Sequence, residues 1–114
     1  MSKPVGPYTP VVRAGDLLFA SGQIGLKDGA LVDGFEAQVR QAITNLRSIL
    51  ATEGAKLTDV VKTNLYVTDI SKYGEMNSLY LDEFDGHLPA RAAVGVNELP
   101  LGALFEIEAV AHVQ

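Results

Sequence analysis

Ala103-Leu104-Phe105-Glu106-Ile107-Glu108-Ala109-Val110-Ala111-His112-Val113 is the clearest strand in the chain, and the fold is read outward from it. Successive side chains of a strand point to opposite faces. Phe105, Ile107, Ala109, Ala111 and Val113 therefore form one face, and Leu104, Glu106, Glu108, Val110 and His112 the other. The first set reads as core. The second is unusual for a solvent face, because two carboxylates are framed by Leu and Val where a uniformly polar surface would be expected. That face is expected to be partly covered.

The preceding strand, residues 91–97, puts Arg91, Ala93, Gly95 and Asn97 on one side and Ala92, Val94 and Val96 on the other. Small residues around one Arg leave space beside it. Further upstream, residues 60–67 alternate, with Val61, Leu65 and Val67 on one face and Lys62, Asn64 and Tyr66 on the other. Residues 17–24 read as a strand between Gly15-Asp16 and a Gly-bounded turn, and Leu31-Val32 adds a short one. In residues 35–53 the apolar positions Phe35, Val39, Ile43, Leu46 and Leu50 recur at helical spacing, and Gly54 stops the helix. A second helix, capped by Asp69 or Ser71, carries the stripe Tyr73, Met76, Tyr80 and Phe84 and closes at Gly86. The order is strands, helix, strand, helix, strands. It predicts an α+β layer with two helices on one face of a mixed sheet, in a single domain spanning residues 1–114.

Composition narrows the function. With 114 residues, 47% of them hydrophobic, the chain can build one core, yet a domain this small buries only about two-thirds of its unfolded surface. A broad sheet with helices on one side leaves the other side short of cover, and oligomerisation is the expected remedy. The net charge is −5 and the nine Lys and Arg are scattered, which argues against nucleic acid as a partner. No apolar run is long enough for a membrane span, and Met1-Ser2-Lys3-Pro4 opens without an apolar signal region, so a soluble, cytoplasmic protein is expected. There is no Cys, and His87 and His112 are the only imidazoles, which leaves neither a Ser/His/Asp triad nor a thiolate metal site. His87 reads as a turn residue and His112 as an exposed terminal one. Taken alone, Arg91 and Glu106 would be read as an ordinary cross-strand ion pair, with Glu108 a structural carboxylate.

Four ordered blocks change that weighting. Gly6-Pro7-Tyr8, Ala20-Ser21-Gly22-Gln23-Ile24, Val61-Lys62-Thr63, and Pro89-Ala90-Arg91-Ala92-Ala93-Val94 followed by Phe105-Glu106-Ile107-Glu108-Ala109 together resemble the reactive-intermediate deaminase (RidA, YjgF) family over nearly the whole chain. The resemblance implies a chorismate-mutase-like fold assembled as a homotrimer, with sites in the clefts between subunits. It also implies a hydrolytic, cofactor-free deamination of enamines and imines of the 2-aminoacrylate and 2-iminopropanoate type, giving 2-keto acids and ammonia.

Carried onto this chain, the resemblance makes Arg91 the bidentate holder of the substrate carboxylate and Glu106 the base or positioner of a water. The backbone carbonyl of Ala93 becomes a second acceptor for that water. Tyr8 and Ser21 fall at ligand-contacting positions, Gly22 allows close backbone approach, and Asn77 matches a further binding position in the second helix. Ala93 stands where many members carry Cys, which excludes thiol chemistry there, and the arm before Gly6 is short. The competing functions are a non-catalytic module that binds a 2-keto acid or another small carboxylate, an endoribonuclease or translation inhibitor, and a deaminase specialised for another enamine. A catalytic Glu beside the carboxylate-binding Arg favours hydrolysis, since simple anion capture would be opposed by it.

Overall fold

The structure is a computed structural model that describes residues 4–114; Met1, Ser2 and Lys3, part of the N-terminal stretch weighed above, lie outside the described residues. Its elements are β1 (Val11–Ala14), β2 (Leu17–Ile24), β3 (Leu26–Lys27), β4 (Ala30–Leu31), α1 (Phe35–Ala51), β5 (Val60–Val67), α2 (Tyr73–Glu83), β6 (Ala90–Gly95) and β7 (Phe105–His112). The main sheet runs β1-β2-β7-β5-β6, and β3 pairs with β4 in a separate hairpin. Only β5 and β6 are parallel in the main sheet, joined through α2; the other pairs are antiparallel. Two helices on one face of a mixed sheet is the expected architecture.

The last strand owes its central place to its pattern. Phe105, Ile107 and Ala111 are fully buried and Ala109 nearly so, because alternate positions all face the helices. Helix α1 packs over β2 and β7 and against α2. Its five expected apolar positions are buried, joined by Ala42, Ile49 and Gln38. Gln38 is tolerated inside because both ends of its amide are used: Nε2 donates to the Val32 carbonyl at 3.1 Å and Oε1 accepts from Leu104 N at 2.8 Å. The helix stops at Ala51, slightly earlier than its apolar pattern suggests. Gly54, at φ 76°, turns the chain so that Ala55 N reaches back to the Leu50 carbonyl at 3.1 Å.

Three expectations need correction. Val61 is not on the core face with Leu65 and Val67. The pairing of β5 with β7 shifts between Val60 and Lys62, so the extra residue at this bulge leaves Val60 buried and Val61 exposed. Tyr73 does not belong to the core stripe of α2; it is 44% exposed, and the buried set is Met76, Leu79 and Tyr80, with Phe84 following. Asp69 caps a separate single turn (Ile70–Lys72), accepting from Ser71 N at 3.0 Å and Ser71 Oγ at 2.6 Å, while α2 itself begins without a side-chain cap. Strand β1, which residues 17–24 pair with, carried no separate signal in the sequence.

The bulge gives a direct test. Val60→Ala should lower the unfolding free energy by about 2 kcal/mol and Val61→Ala by less than about 0.5 kcal/mol in urea titrations. Equal losses would place both valines in the core and refute the register.

Candidate functional site

The residues singled out by sequence fall into two groups on opposite faces of the sheet. Arg91 pairs in register with Thr63, which is buried toward the helices, so Arg91 projects to the helix side. Glu106 pairs with Tyr66 and alternates with buried Ile107, so it projects to the open side. Strand β5 also lies between β6 and β7. The cross-strand ion pair considered for Arg91 and Glu106 is therefore ruled out within one chain, and so is a complete site containing both.

The first group lies along β6, the edge strand. Val96 N donates to the Val67 carbonyl at 2.8 Å. In a parallel ladder alternate residues bond to the neighbour, so residues 92, 94 and 96 bond to β5, and the main-chain groups of Arg91, Ala93 and Gly95 point out of the free edge. The Ala93 carbonyl is thus available as an acceptor, beside Arg91. The guanidinium sits 5.1 Å from the Tyr80 ring centroid and 5.6 Å from that of Tyr73, and its Nη2 donates to the Tyr73 hydroxyl at 3.0 Å. Tyr80 is itself fixed: its hydroxyl bonds to Thr63 Oγ1 at 2.8 Å, and its ring stacks on Phe84. Asn77 lies between the two tyrosines on α2, four residues after one and three before the other, and its Oδ1 is buried without a partner among the described residues. A buried acceptor of this kind is costly unless something supplies a donor.

The second group forms where β2 is irregular. The β2–β7 pairing shifts between Ala20 and Gln23, which breaks regular strand alternation there and lays Gly22 against Glu106. A Cβ on Gly22 would stand 2.3 Å from Glu106 Oε2. The N-terminal segment crosses here, held by Ser21 Oγ to the Thr9 carbonyl at 2.6 Å and Ser21 N to the Pro10 carbonyl at 2.8 Å. It brings Tyr8 and Val5 over the carboxylate. Together with Ser21, Gly22, Ile24, Pro100 and Glu106 they line a cavity of about 180 Å³. This supplies the partial cover that the apolar flanks of Glu106 suggested.

Burial, and after it the charge of Glu108, push the Glu106 carboxyl above its ordinary value. Glu108 is the structural member of the pair: one oxygen accepts from Tyr66 Oη at 2.6 Å and Asn64 Nδ2 at 3.0 Å. The Glu108 hydrogen bond pushes the Tyr66 phenol up to about 12, with burial adding to it. The two histidines stand apart. His87 Nε2 bonds the Val60 carbonyl at 2.8 Å from the turn after α2, and His112 is exposed. Among the described residues no group of three or more His, Cys, Asp and Glu is placed to hold a metal ion. A larger cavity, about 590 Å³, lies between α1 and the β3–β4 hairpin and contains none of the site residues. Its amides are already used, Gln41 on Asn45 and Asn45 on the Ile24 and Leu26 carbonyls.

Sequence reasoning missed Tyr73, Tyr80 and Thr63 as the setting of Arg91, and Pro100 as a wall beside Glu106. The tyrosines could have been found, because they share a helix face with Asn77.

The chain matches the family model described as Endoribonuclease L-PSP over residues 1–113. It is 48% identical over 112 residues to a RutC family protein of Aquifex aeolicus, covering 95% of this chain and 90% of that one. It is 43% identical over 110 residues to the 2-iminobutanoate/2-iminopropanoate deaminase of Rattus norvegicus, covering 94% and 80%. Among solved structures, that of RidA from an Antarctic Psychrobacter superposes with a TM-score of 0.94 at 36% identity, covering 97% and 92%.

Two measurements check the site itself. Gly22→Ala should turn the Glu106 carboxylate away, visible in a crystal structure of the variant, at a stability cost of about 1 kcal/mol, since the obstructing atoms belong to a rotatable side chain. A carboxylate left in place would contradict the packing. The raised Glu106 value means that the folded chain binds this proton more tightly than the unfolded one. Its contribution to stability is present below the ordinary glutamate value of about 4.3 and is lost as pH rises through the folded value. Glu106→Gln should remove that loss, so that the variant gains on the wild type between acid and neutral pH in urea unfolding. A gap independent of pH would show that Glu106 is not perturbed.

Proposed function

The chain belongs to the Endoribonuclease L-PSP (YjgF/RidA) family, and from that membership and the two half-sites we propose that it hydrolyses 2-enamino and 2-imino acids to 2-keto acids and ammonia. The observation that carries the reading is the half-buried Glu106, with its proton affinity raised, in a small cavity kept open by Gly22. The deaminase name of the rat relative gives the substrate class. The small-carboxylate fit of Arg91 agrees with it.

In this reading Arg91 holds the substrate carboxylate through two parallel N–H donors, and the iminium carbon lies toward Glu106. A water rests between the Glu106 carboxylate and the Ala93 carbonyl. Its oxygen bonds to the carbon as Glu106 takes a proton and the C=N electrons move to nitrogen, giving a neutral carbinolamine. Glu106 then returns the proton to that nitrogen. The C–N bond breaks as the hydroxyl oxygen forms the C=O bond, and the hydroxyl proton leaves to the carboxylate or solvent. One iminium and one water become one 2-keto acid and one ammonium, without oxidation or reduction. The raised proton affinity of Glu106 suits both halves, because an acid–base group works best when its pKa lies near the working pH. Tyr8 and Ser21 bound the cavity that receives the substrate, and the unpartnered Oδ1 of Asn77 offers an acceptor near Arg91 on the other half.

Since Arg91 and Glu106 lie on opposite faces of one chain, the reading requires a second copy. The β6 edge of one subunit, with Arg91 and the Ala93 carbonyl, meets the open face of the next, with Tyr8, Ser21, Gly22 and Glu106. Three copies closing in this way make the homotrimer, with a site in each cleft. The exposed apolar residues Val12, Phe19 and Val94 lie on the same open face and gain cover. A cytoplasmic location belongs to the same proposal; among the described residues no helix is long and apolar enough to cross a membrane.

The test is keto-acid release when a serine or threonine dehydratase generates the enamine in situ. Wild type should accelerate release, and Arg91→Ala and Glu106→Gln should each lose about 100-fold in kcat/KM. Refolding the two variants together should restore roughly a quarter of the wild-type activity, because random mixing places both native halves in about one cleft in four. No acceleration by the wild type would leave carboxylate binding without catalysis as the function. Salt-sensitive cleavage of RNA would instead revive the nuclease that the family description names, a reading the charge of −5 disfavours.

A further inference from the structure

Arg91 is oriented before any ligand arrives, and the two rings that do this are not equivalent. Tyr80 is a buried platform whose hydroxyl is spent on buried Thr63, and its ring is fixed against Phe84. Tyr73 is 44% exposed, contributes little to the core, and has its hydroxyl on Arg91 Nη2 at 3.0 Å. Its location is nevertheless well defined. It follows directly on the single turn Ile70–Lys72, which Asp69 caps through Ser71, and it opens α2. The guanidinium therefore lies over both rings, 5.1 Å from the Tyr80 centroid and 5.6 Å from that of Tyr73, and the Tyr73 hydroxyl takes one of its five N–H groups. Nη2 retains its second N–H after that bond, so a fork of two parallel donors remains for a carboxylate.

We propose that Tyr73 is a positioning residue that sets the plane of the Arg91 guanidinium, and so governs how tightly the site holds 2-imino and 2-keto acids rather than how fast it converts them. The inference rests on the reading of Arg91 as the carboxylate holder. An Arg side chain on the free edge of a sheet has several rotatable bonds, and a ligand that must fix them loses affinity to that ordering. The Tyr73 hydroxyl fixes them in the free protein. It accepts from Arg91, so in this proposal its effect reaches the substrate through the guanidinium. The contribution belongs to binding in the ground state and the transition state alike, which appears in KM and leaves kcat in place.

The experiment uses the full chain with pyruvate as the probe of carboxylate binding, titrated by NMR, together with kcat and KM in the dehydratase-coupled assay. Tyr73→Phe keeps the ring and removes only the hydroxyl; Arg91→Ala is the reference. Tyr73→Phe should raise both the pyruvate Kd and KM about 3- to 10-fold and change kcat by less than about 2-fold, with the melting temperature within about 2 °C of wild type. Tyr73→Leu, which also removes the ring, should weaken binding further. If Arg91→Ala abolishes pyruvate binding while Tyr73→Phe leaves Kd and KM unchanged, or lowers kcat alone, the positioning role is refuted and the carboxylate-holding role stands. If pyruvate binds equally well to Arg91→Ala, or not at all to the wild type, the reading of Arg91 fails and takes this inference with it.

Discussion

A five-stranded sheet in a chain of 114 residues can be covered by its own helices on one face only, and the rest of the structure follows from that shortage. Helices α1 and α2 are both committed to one side, where β7 presents unbroken apolar alternation and β5 presents Val60, Thr63, Leu65 and Val67. On the other side the sheet presents Glu106, Glu108, Asn64, Tyr66 and Lys62 among the apolar residues Val12, Phe19, Val94 and Val110. Among the described residues the N-terminal segment, with Pro100, covers this face beside Glu106. A surface with apolar borders and a hydrogen-bonded carboxylate at its centre is suited to being covered by another copy, because that carboxylate does not depend on bulk water for partners. Glu108 already has Tyr66 and Asn64.

The same arrangement separates the two chemical roles. An Arg and a Glu within reach of each other in one chain would pair, and the pairing would hold the Glu ionised and occupy the Arg. Placing them on opposite faces avoids both effects. Arg91 rests on aromatic rings and gives one donor to Tyr73, while Glu106 is pushed up by burial and by Glu108. In the proposed assembly the two meet only when a substrate lies between them, with its carboxylate on one and its imine on the other.

Much of this was legible in the sequence, and the parts that were not share a cause. The two faces of β7, the buried stripe of α1, the buried Met76, Tyr80 and Phe84 of α2 and the fold class all come from periodicity, which reports whether a residue faces in or out. Periodicity is blind to an inserted residue, so the bulge at Val61 inverted a local assignment, and the shift after Ala20, equally unmarked, is what brings Gly22 against Glu106. It is equally blind to strand order. Arg91 and Glu106 were both read as polar members of a mixed face, yet the parallel β5–β6 pairing fixes Arg91 to the face of Thr63 and Leu65. Nothing in the spacing of two strands says which lies between them. The site residues taken from the family resemblance lie in two clusters, and the resemblance alone did not say that each cluster belongs to a different side of the chain.

Tyr73 shows where the limit lies most clearly. Its spacing from Tyr80 marks it as a member of an aromatic helix stripe, and a stripe is usually core. Position on the helix decides otherwise: Tyr73 opens α2, beside Arg91 of the edge strand, whereas Tyr80 lies over Thr63 of β5 and Met76 is fully buried. At that end the sheet has run out, and the side chain meets the last residue type that can use a ring and a hydroxyl together, an arginine on a free edge. The feature that exposes Tyr73 to solvent is therefore the one that gives it Arg91 as a partner. An edge strand is ordinarily a hazard, since its unpaired main-chain groups invite pairing with other chains. Here the unpaired groups include the Ala93 carbonyl beside Arg91, and the edge is short, so the exposure that stability would avoid becomes the half of the site that the opposite face lacks.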